Sequence, residues 1–485
     1  MDHPRALIAV AVLCACAPAA PPPHGEILVN VDTDLPVVRA VSQLRVDSYA
    51  GDGRWFDSRT IGLPDAESWP VSFSVYSDDD RADKLLWLRL RAFSDGAVRD
   101  YRGERFTSPS FTAPPPAGDG PRLLGHGADV TPALEPLPAL TVDRLVLLRL
   151  SPGRRRSVSL VLAGVCAGRM SRLSEAGTPS AGSESCESGE LAVVSEASLT
   201  EGIVRQTQSQ VGSWSEPCDG SGDADRVCVP GGATIMGSRE LLVYPDLPPT
   251  PERVVYLSRF WVDRNEVSVG RFRAALDAGL PVSDLPRATL GTLGPDFVQN
   301  GCSWTPTVAE REDFALSCVS QPTARKFCQF MGGDLPSEAQ WEYMATSAGR
   351  SQRMPFPWGD TPPTCDAAVY GRLSLSGLPG VCQDFGSGPL PLWAGPGDAS
   401  PLGIAGLGGG VSEWLRDAYA DYGAPCWRDA PLVDPQCHEA VVERSVRGGS
   451  WAAPPTILRS AGRMGVDGSG EASFIGFRCA YPGTS

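Results

Sequence analysis

A chain of 485 residues is too long for one ordinary hydrophobic core, so we expect two folded units and linkers. Apolar residues make up 42% and charged residues 20%, which excludes both a largely disordered chain and a membrane bundle. The net charge of −15 excludes nucleic acid as a partner, because phosphate binding needs clustered lysine and arginine.

The N-terminal residues have the pattern of an export signal. One arginine precedes an apolar run that is too short to cross a bilayer. The following Leu13-Cys-Ala-Cys16 resembles a bacterial lipobox, so we predict a lipoprotein signal peptide over 1–15 and lipidation of Cys16. An ordinary signal peptide cleaved near Ala19 is the alternative. The predicted location is the bacterial cell envelope, in the outer membrane or periplasm, with the Pro- and Ala-rich residues 16–25 as a tether.

Export changes the interpretation of the cysteines. Of the 14 cysteines, Cys14 and Cys16 belong to the signal, which leaves 12 in the mature chain. An even number in an oxidising compartment predicts disulfides, and no Cys-x-x-Cys spacing favours zinc. Pairing of near neighbours is the simplest scheme and leaves Cys328 and Cys479: Cys166/Cys186, Cys218/Cys228, Cys302/Cys318, Cys365/Cys382 and Cys426/Cys437.

Short runs of β character fill the N-terminal half. Several alternate apolar with polar residues, as a strand with one wet face requires, and Asp, Gly and Pro separate them. We predict a small all-β sandwich-like domain over 26–168, without a cluster of titratable residues, and a Ser/Gly-rich linker over 169–225. The predicted strands are 27–31, 43–46, 71–76, 86–91, 145–150 and 158–162.

The second unit begins near residue 226 and carries three helix signals. Ser268 is placed to cap the first helix, and Pro322 suits the first turn of the second. Ser337 and Gln340 form a capping-box pattern for the third. From Pro355 to Gly410 glycine and proline leave few periodic runs, so irregular loops held by disulfides are expected there.

Five segments of this unit contain Gly/Trp motifs in a fixed order. They are Val229-Pro-Gly-Gly-Ala-Thr-Ile-Met-Gly237, Phe260-Trp-Val-Asp-Arg-Asn-Glu-Val267, Leu335-Pro-Ser-Glu-Ala-Gln-Trp-Glu-Tyr343, Gly409-Gly-Val-Ser-Glu-Trp414, and the run from Arg447-Gly-Gly-Ser-Trp451 to Gly476-Phe-Arg-Cys479. Together they resemble the formylglycine-generating enzyme (sulfatase-modifying factor) family over residues 226–483. The resemblance implies an α+β fold: a loop-rich C-type-lectin-like domain at the C-terminus, here preceded by the small all-β domain.

The resemblance also implies a copper site, which this sequence lacks. Active members of the family oxidise a client cysteine with copper held by two cysteines shortly after the Gly-Gly-Ser turn. Here those positions are Ala453 and Leu458, so copper is not expected and no catalytic residue is assigned. A family disulfide implies a bridge between Cys328 and Cys479. The ends of a second family disulfide fall together at Ala345 and Ser460.

Calcium is the second ion that the resemblance implies. Glu413 is retained in the family's calcium loop, and Gly409 and Val411 offer carbonyl groups, but the acidic and amide positions are Gly406 and Gly410. A weakened calcium site, or none, is expected. The alternative role for Glu413 is to hold the loop through backbone hydrogen bonds.

Two other chemistries are disfavoured. An iron site of several histidines, known in relatives of this fold, is excluded because only four histidines exist and His438 is alone in this domain. A triad of Ser450, His438 and Asp417 is disfavoured because no nucleophile-elbow sequence surrounds the serine.

The leading hypothesis is therefore a lipid-anchored, non-catalytic binding or scaffolding module that presents loops to a protein, peptide or glycan. Three tryptophans in Gly/Pro-rich loops are predicted contacts: Trp358, Trp393 and Trp427. No cofactor is expected, with calcium as the alternative. A competing hypothesis is a formylglycine-generating-type oxidoreductase, or another enzyme of this fold, that acts on protein cysteines by another route. A third is a purely structural role at the envelope.

Overall fold

Two four-stranded sheets form the N-terminal domain of the computed structural model. The structure describes residues 25–77, 81–101, 121–218, 224–240, 249–289, 301–373 and 380–483. The predicted signal peptide, Cys16 and nearly all of the tether lie outside the described residues. One sheet has the order β14-β11-β1-β4 and the other β10-β5-β2-β3. The strands of this half are β1 (Glu26–Thr33), β2 (Gln43–Ala50), β3 (Trp55–Gly62), β4 (Val71–Tyr76), β5 (Lys84–Phe93), β6 (Val98–Asp100), β7 (Leu124–Gly125), β8 (Ala128–Asp129), β9 (Leu134–Pro136), β10 (Thr141–Leu150), β11 (Arg155–Leu162), β12 (Glu184–Glu187), β13 (Glu190–Val193), β14 (Thr200–Glu201) and β15 (Ser215–Glu216).

Alternation along the strands decides which side chains enter the space between the sheets. On β1, Ile27, Val29 and Val31 are fully buried in the core, as the period of two requires. On β5 the outer face is buried as well, because Arg89 pairs with Asp143 of β10 at 2.7 Å. All six strands predicted from the sequence are present, and β3 and the short β6, β7, β8 and β9 are additional strands.

The predicted linker over 169–225 differs from the structure, because much of this segment is packed on the sandwich. The backbone N–H of Ser171 donates to Asp143 Oδ2 at 2.9 Å, and Ser185 Oγ accepts the N–H of Leu145 at 2.8 Å. Further on, the N–H of Gln210 donates to Asp32 Oδ2 at 2.7 Å. Scattered apolar residues, among them Leu191, Leu199 and Trp214, also pack against the sandwich core, without the regular spacing that a sequence pattern would show.

The C-terminal domain combines small sheets and short helices with long loops. Its three sheets have the orders β15-β17-β18, β16-β19-β24 and β22-β21-β20-β23. The elements are β16 (Arg226–Val229), β17 (Gly231–Met236), β18 (Arg253–Leu257), β19 (Phe260–Asp263), α1 (Val269–Asp277), α2 (Gln321–Phe330), α3 (Glu338–Thr346), β20 (Ser412–Ala418), α4 (Pro425–Arg428), β21 (Glu443–Arg447), β22 (Arg463–Asp467), β23 (Ile475–Gly476) and β24 (Ala480–Pro482). Among the described residues, no helix has the length and apolar character needed to span a bilayer.

The helices begin where their local signals predict. Ser268 accepts the N–H of Arg271 and caps α1. Pro322 lies in the first turn of α2. Ser337 and Gln340 form both hydrogen bonds of a capping box at α3. Side-chain caps therefore mark the starts of α1 and α3, and a proline in the first turn marks the start of α2.

Six disulfides link the described residues: five are the near-neighbour pairs of the simplest scheme, and the sixth is the bridge that the family resemblance implied. Five close loops between near neighbours, and Cys328 of α2 is bonded to Cys479 across 151 residues. That bridge ties α2 to the segment before β24. It therefore connects the middle of the domain to its last strand.

The two domains share one hydrophobic cluster. Ile235 of β17 and Tyr256 of β18 belong to the same buried group as Val37 and Val41 of the sandwich. Trp214 stacks on Tyr256 with ring centroids 4.5 Å apart. The domain boundary is thus a packed interface.

Candidate functional site

The loop after β21 brings two residues of the predicted site into an apolar cluster. A Cβ at Gly449 would lie 2.3 Å from the carbonyl oxygen of Gly408, so only glycine fits this turn. Beyond the turn, Leu458 is fully buried and Ala453 is 8% exposed. They pack together with Phe356, Ala368, Tyr370 and Cys382.

The residues present do not fit a copper site made of two thiolates. Ala453 and Leu458 carry hydrocarbon side chains, which offer no electron pair to a soft metal. Within the described ranges every cysteine is part of a disulfide. One group of candidate metal ligands was found there, Cys426, Cys437 and Glu439, and its two sulfurs are bonded to each other.

The carboxylate of Glu413 is committed to protein partners. It is fully buried on β20 and accepts the Nε–H of Arg478 at 2.8 and 2.9 Å. The indole N–H of Trp341 donates to it at 2.9 Å. These partners are side chains, whereas the sequence suggested backbone N–H groups. Because a guanidinium neutralises both oxygens, Glu413 does not fit the role of calcium ligand.

The backbone N–H groups of the other two predicted calcium residues point to carboxylates. Gly409 donates to Asp398 Oδ2 at 2.6 Å, and the N–H of Val411 lies 3.4 Å from Glu266 Oε1. The arrangement is a loop whose N–H groups face acidic side chains of the protein itself. The calcium site implied by the resemblance is therefore not supported by these contacts.

Glycine at two motif positions makes room for Glu266. A Cβ at Gly406 would lie 2.4 Å, and one at Gly410 2.5 Å, from a carboxylate oxygen of Glu266. Both glycines have positive φ angles of about +70°, which disfavours other residues. The Glu266 carboxyl group thus occupies the space beside the loop.

This cluster contains three carboxyl groups and one guanidinium. Burial raises the pKa of Glu266 to about 8. Arg478, 3.9 Å away, offsets only part of this effect, and the nearby carboxyl groups of Glu413 and Asp398 raise the pKa of Glu266 further. Burial also raises the pKa of Asp398 to about 6, against the N–H bonds from its loop. Glu266 is therefore expected to hold a proton at neutral pH.

Residues 217–482 match the family model described as the sulfatase-modifying factor enzyme 1-like domain. The matched range is more than half of the 485-residue chain. The chain belongs to this sulfatase-modifying factor family. The match begins at residue 217, earlier than the boundary near 226 expected from the sequence.

Two of the relatives of this sulfatase-modifying factor chain are enzymes with different names. The formylglycine-generating enzyme of Thermomonospora curvata is 26% identical over 288 residues, which cover 52% of this chain and 92% of that enzyme. The hercynine oxygenase of Mycobacterium tuberculosis is 26% identical over 251 residues, covering 48% of this chain and 54% of its own length. The structure of PvdO from Pseudomonas aeruginosa has a TM-score of 0.41 at 22% identity, covering 53% of this chain and 93% of that one.

The three predicted contact tryptophans of the sulfatase-modifying factor domain have different environments. Trp393 is 74% exposed and available to a partner. Trp358 is half-buried and stacks on Phe356 with ring centroids 5.1 Å apart. Trp427 is fully buried against Tyr422, so its assignment as a surface contact is wrong. It lies in the short helix α4, and its ring packs into the core of the domain.

The structure gives no support to a hydrolytic triad in this domain. The carboxylate of Asp417 accepts the backbone N–H of Cys437 at 2.9 Å and of Glu338 at 2.8 Å. Burial and the nearby Glu338 raise the pKa of Asp417 to about 7. Ser450 is itself 2% exposed. Asp417 therefore anchors the start of α3 rather than orienting a histidine.

A buried charge network lies beneath the Gly-Gly turn of the sulfatase-modifying factor domain. Glu338 Oε1 accepts Nε–H bonds from Arg463 at 2.7 Å and Arg447 at 3.1 Å, and Arg447 Nη2 also reaches Glu342 at 2.7 Å. Burial alone would raise the pKa of Glu338, but Arg463 and Arg447 outweigh it and hold the pKa at about 2. The network fixes α3 against β21 and β22.

Sequence reasoning missed the cluster around Glu266, although the residue lies in a quoted motif. Its neighbours Asp398 and Arg478 are more than 100 residues away in the chain. Spacing along the sequence carries no signal for such a contact. The glycines at 406 and 410 were the available clue, because they remove side chains where the carboxyl group lies.

Proposed function

We propose that this protein is a non-catalytic binding or scaffolding module, exported and lipid-anchored through Cys16 at the bacterial cell envelope. The observation that carries the proposal is the burial of Leu458 and Ala453 in a hydrocarbon cluster at the positions of the family's copper cysteines. The fold and the Gly-Gly turn remain, while the metal ligands are replaced. The domain would present its loops, including the exposed Trp393, to a protein, peptide or glycan.

Copper binding provides the direct test. The mature protein is expected to take up no stoichiometric Cu(I) in competition with a chelator, because its two positions offer no thiolate. The double variant Ala453→Cys/Leu458→Cys restores both sulfurs and is expected to gain about one equivalent. Uptake is measured by metal analysis after gel filtration.

A turnover assay accompanies this measurement. A cysteine peptide that the Thermomonospora curvata enzyme converts to formylglycine is incubated with each protein in air and analysed by mass spectrometry. An unchanged peptide supports the binding module. One equivalent of tightly held copper in the unmodified protein, or conversion of the peptide, would favour the alternative of an oxidoreductase acting on cysteine.

The anchor is tested separately in a bacterial host by metabolic labelling with a fatty-acid analogue. The protein is expected to incorporate the label, and Cys16→Ser to lose it, since the thiol of the first mature residue is the acceptor. Cys14→Ser is the matched control and should stay labelled. Equal labelling of Cys16→Ser and the unmodified protein would refute the anchor.

A further inference from the structure

A cleft of about 480 Å³ lies between the two domains. One wall comes from the sandwich, with Val38, Arg39 and the turn at 94–97. The other comes from the sulfatase-modifying factor domain and includes residues 238–240, 352–355 and Arg459. Its volume is within the range of small-molecule sites, which occur preferentially at domain interfaces.

The two walls are held in place by the shared core. Arg39 Nη1 donates to the carbonyl oxygens of Ser347 and Arg350, both at 3.0 Å, so the sandwich is tied to the end of α3. The guanidinium of Arg39 also lies 5.8 Å from the ring centre of Tyr343. A ligand would therefore meet a formed cleft and would not have to bring two domains together.

The lining of the cleft carries one more arginine than acidic residues, in a chain whose net charge is −15. Four arginines line it: Arg39, Arg239, Arg353 and Arg459. Three acidic residues line it as well: Asp95, Glu240 and Glu252. Glu252 lies 2.7 Å from Arg239 and 3.7 Å from Arg353, and Glu240 lies 3.2 Å from Arg459. Arg39 contacts carbonyl groups and the Tyr343 ring, and no ion pair with a carboxylate is found for it in the described ranges. Arg239 pairs with Glu252 through Nε, and Arg459 pairs with Glu240 through Nη2, so each keeps N–H groups on another nitrogen for an anion.

Arg459 is supplied by the segment that fills the family's copper position. Leu458 is buried in the apolar cluster, and Arg459 directly follows it with extended backbone angles of −66° and 129°. Leu458 is the last residue of a short 3-10 helix, Pro455–Leu458, and the chain leaves that helix at Arg459. The same short segment therefore buries Leu458 in the apolar cluster and supplies Arg459 to the lining of the cleft.

Val38 adds an apolar and strained contact. Its φ angle is +55°, a region that disfavours β-branched residues, and its side chain is 38% exposed in the cleft. Such strain persists only where the surroundings impose it, and it is concentrated at binding sites. Ile235 and Met354 contribute further apolar surface to the same cleft.

We propose that this interdomain cleft binds a small organic anion, with its carboxylate or phosphate on Arg239 and Arg459 and its apolar part against Val38. Arginine suits this role because its planar group donates two parallel N–H bonds to either anion. Arg239 and Arg459 are 37% and 32% exposed, so a ligand can reach both. The proposal concerns a site separate from the copper positions and holds whether or not the domain is catalytic.

Isothermal titration of the mature protein at low ionic strength with inorganic phosphate, citrate and hexanoate tests this site. At least one anion is expected to bind with a dissociation constant of about 1 mM or lower. The double variant Arg239→Gln/Arg459→Gln should weaken that binding at least tenfold. Arg428→Gln, which removes a surface arginine paired with its neighbour Asp429, is the matched control and should bind as the unmodified protein does.

The pattern of binding distinguishes the ligand class. Phosphate binding without hexanoate binding indicates a phosphate ligand, and the reverse indicates an amphipathic carboxylate. Val38→Gly should weaken hexanoate binding while leaving phosphate binding unchanged. Thermal unfolding checks that each variant is folded. The proposal is refuted if none of the three anions binds, or if folded Arg239→Gln/Arg459→Gln binds as tightly as the unmodified protein.

Discussion

Replacing Glu338 with glutamine is expected to lower the free energy of unfolding at pH 7 by about 3–5 kcal/mol. The substitution keeps the volume of the side chain but removes a negative charge. Within the described residues, Glu338 is the one carboxylate that forms an ion pair with Arg463. It also removes one of the two carboxylates beside Arg447. A buried guanidinium without its counter-charge is costly because water cannot solvate it. Urea unfolding of both proteins measures the difference.

The control for this prediction is Glu312→Gln. Glu312 pairs with Arg273 at 2.9 Å, but both side chains are partly exposed, so the loss should be about 1 kcal/mol or less. The effect of Glu338→Gln should also depend on pH. Because the folded pKa of Glu338 is depressed to about 2, its contribution is present above pH 4.5 and is lost as the pH falls towards 2. Equal losses for the two variants at pH 7 would contradict the proposed network.

Replacing Glu266 with glutamine is expected to have the opposite sign. The folded pKa of Glu266 is raised from 4.5 to about 8, so its favourable contribution is complete below pH 4.5 and is lost as the pH rises towards 8. Glutamine resembles the protonated acid at every pH. The variant should therefore match the unmodified protein near pH 4.5 and exceed its stability by about 3–5 kcal/mol near pH 8.5.

Chemical unfolding at the two pH values checks this expectation. Glu443→Gln, at an exposed position on β21, is the matched control and should change stability by about 0.5 kcal/mol or less at either pH. A stability gain for Glu266→Gln that is equal at both pH values would show that the gain does not come from the proton of Glu266. A loss at pH 8.5 would show that the ionised carboxylate is favourable there.

Features with local causes could be predicted from the sequence. The Ser337 capping box and Pro322 fix the starts of α3 and α2 through contacts within one turn. The short disulfide loops follow from cysteines about 10–20 residues apart. Ala453 and Leu458 were identified as departures from the family pattern because the Gly-Gly-Ser motif sets the register.

Features with distant causes could not be predicted in this way. Glu338 and Arg463 are 125 residues apart, and no periodicity connects them. The segment after residue 169 is polar and aperiodic, yet Asp143 and Asp32 hold it by accepting backbone N–H groups. The burial of Trp427 depends on Tyr422 and on the carbonyl of the tryptophan, which accepts a hydrogen bond from Arg253. Each outcome is decided by a partner that only the folded chain brings near.

The hydrophobic core that crosses the domain boundary limits how the two domains can be separated or joined to other proteins. A fragment cut at the start of the family match would uncover Ile235 and Tyr256, which the sandwich and Trp214 now cover. Uncovered apolar surface of this kind promotes aggregation. The two halves are therefore not interchangeable modules, and a chimera that joins this domain to a different partner would need a new apolar surface of matching shape at the junction.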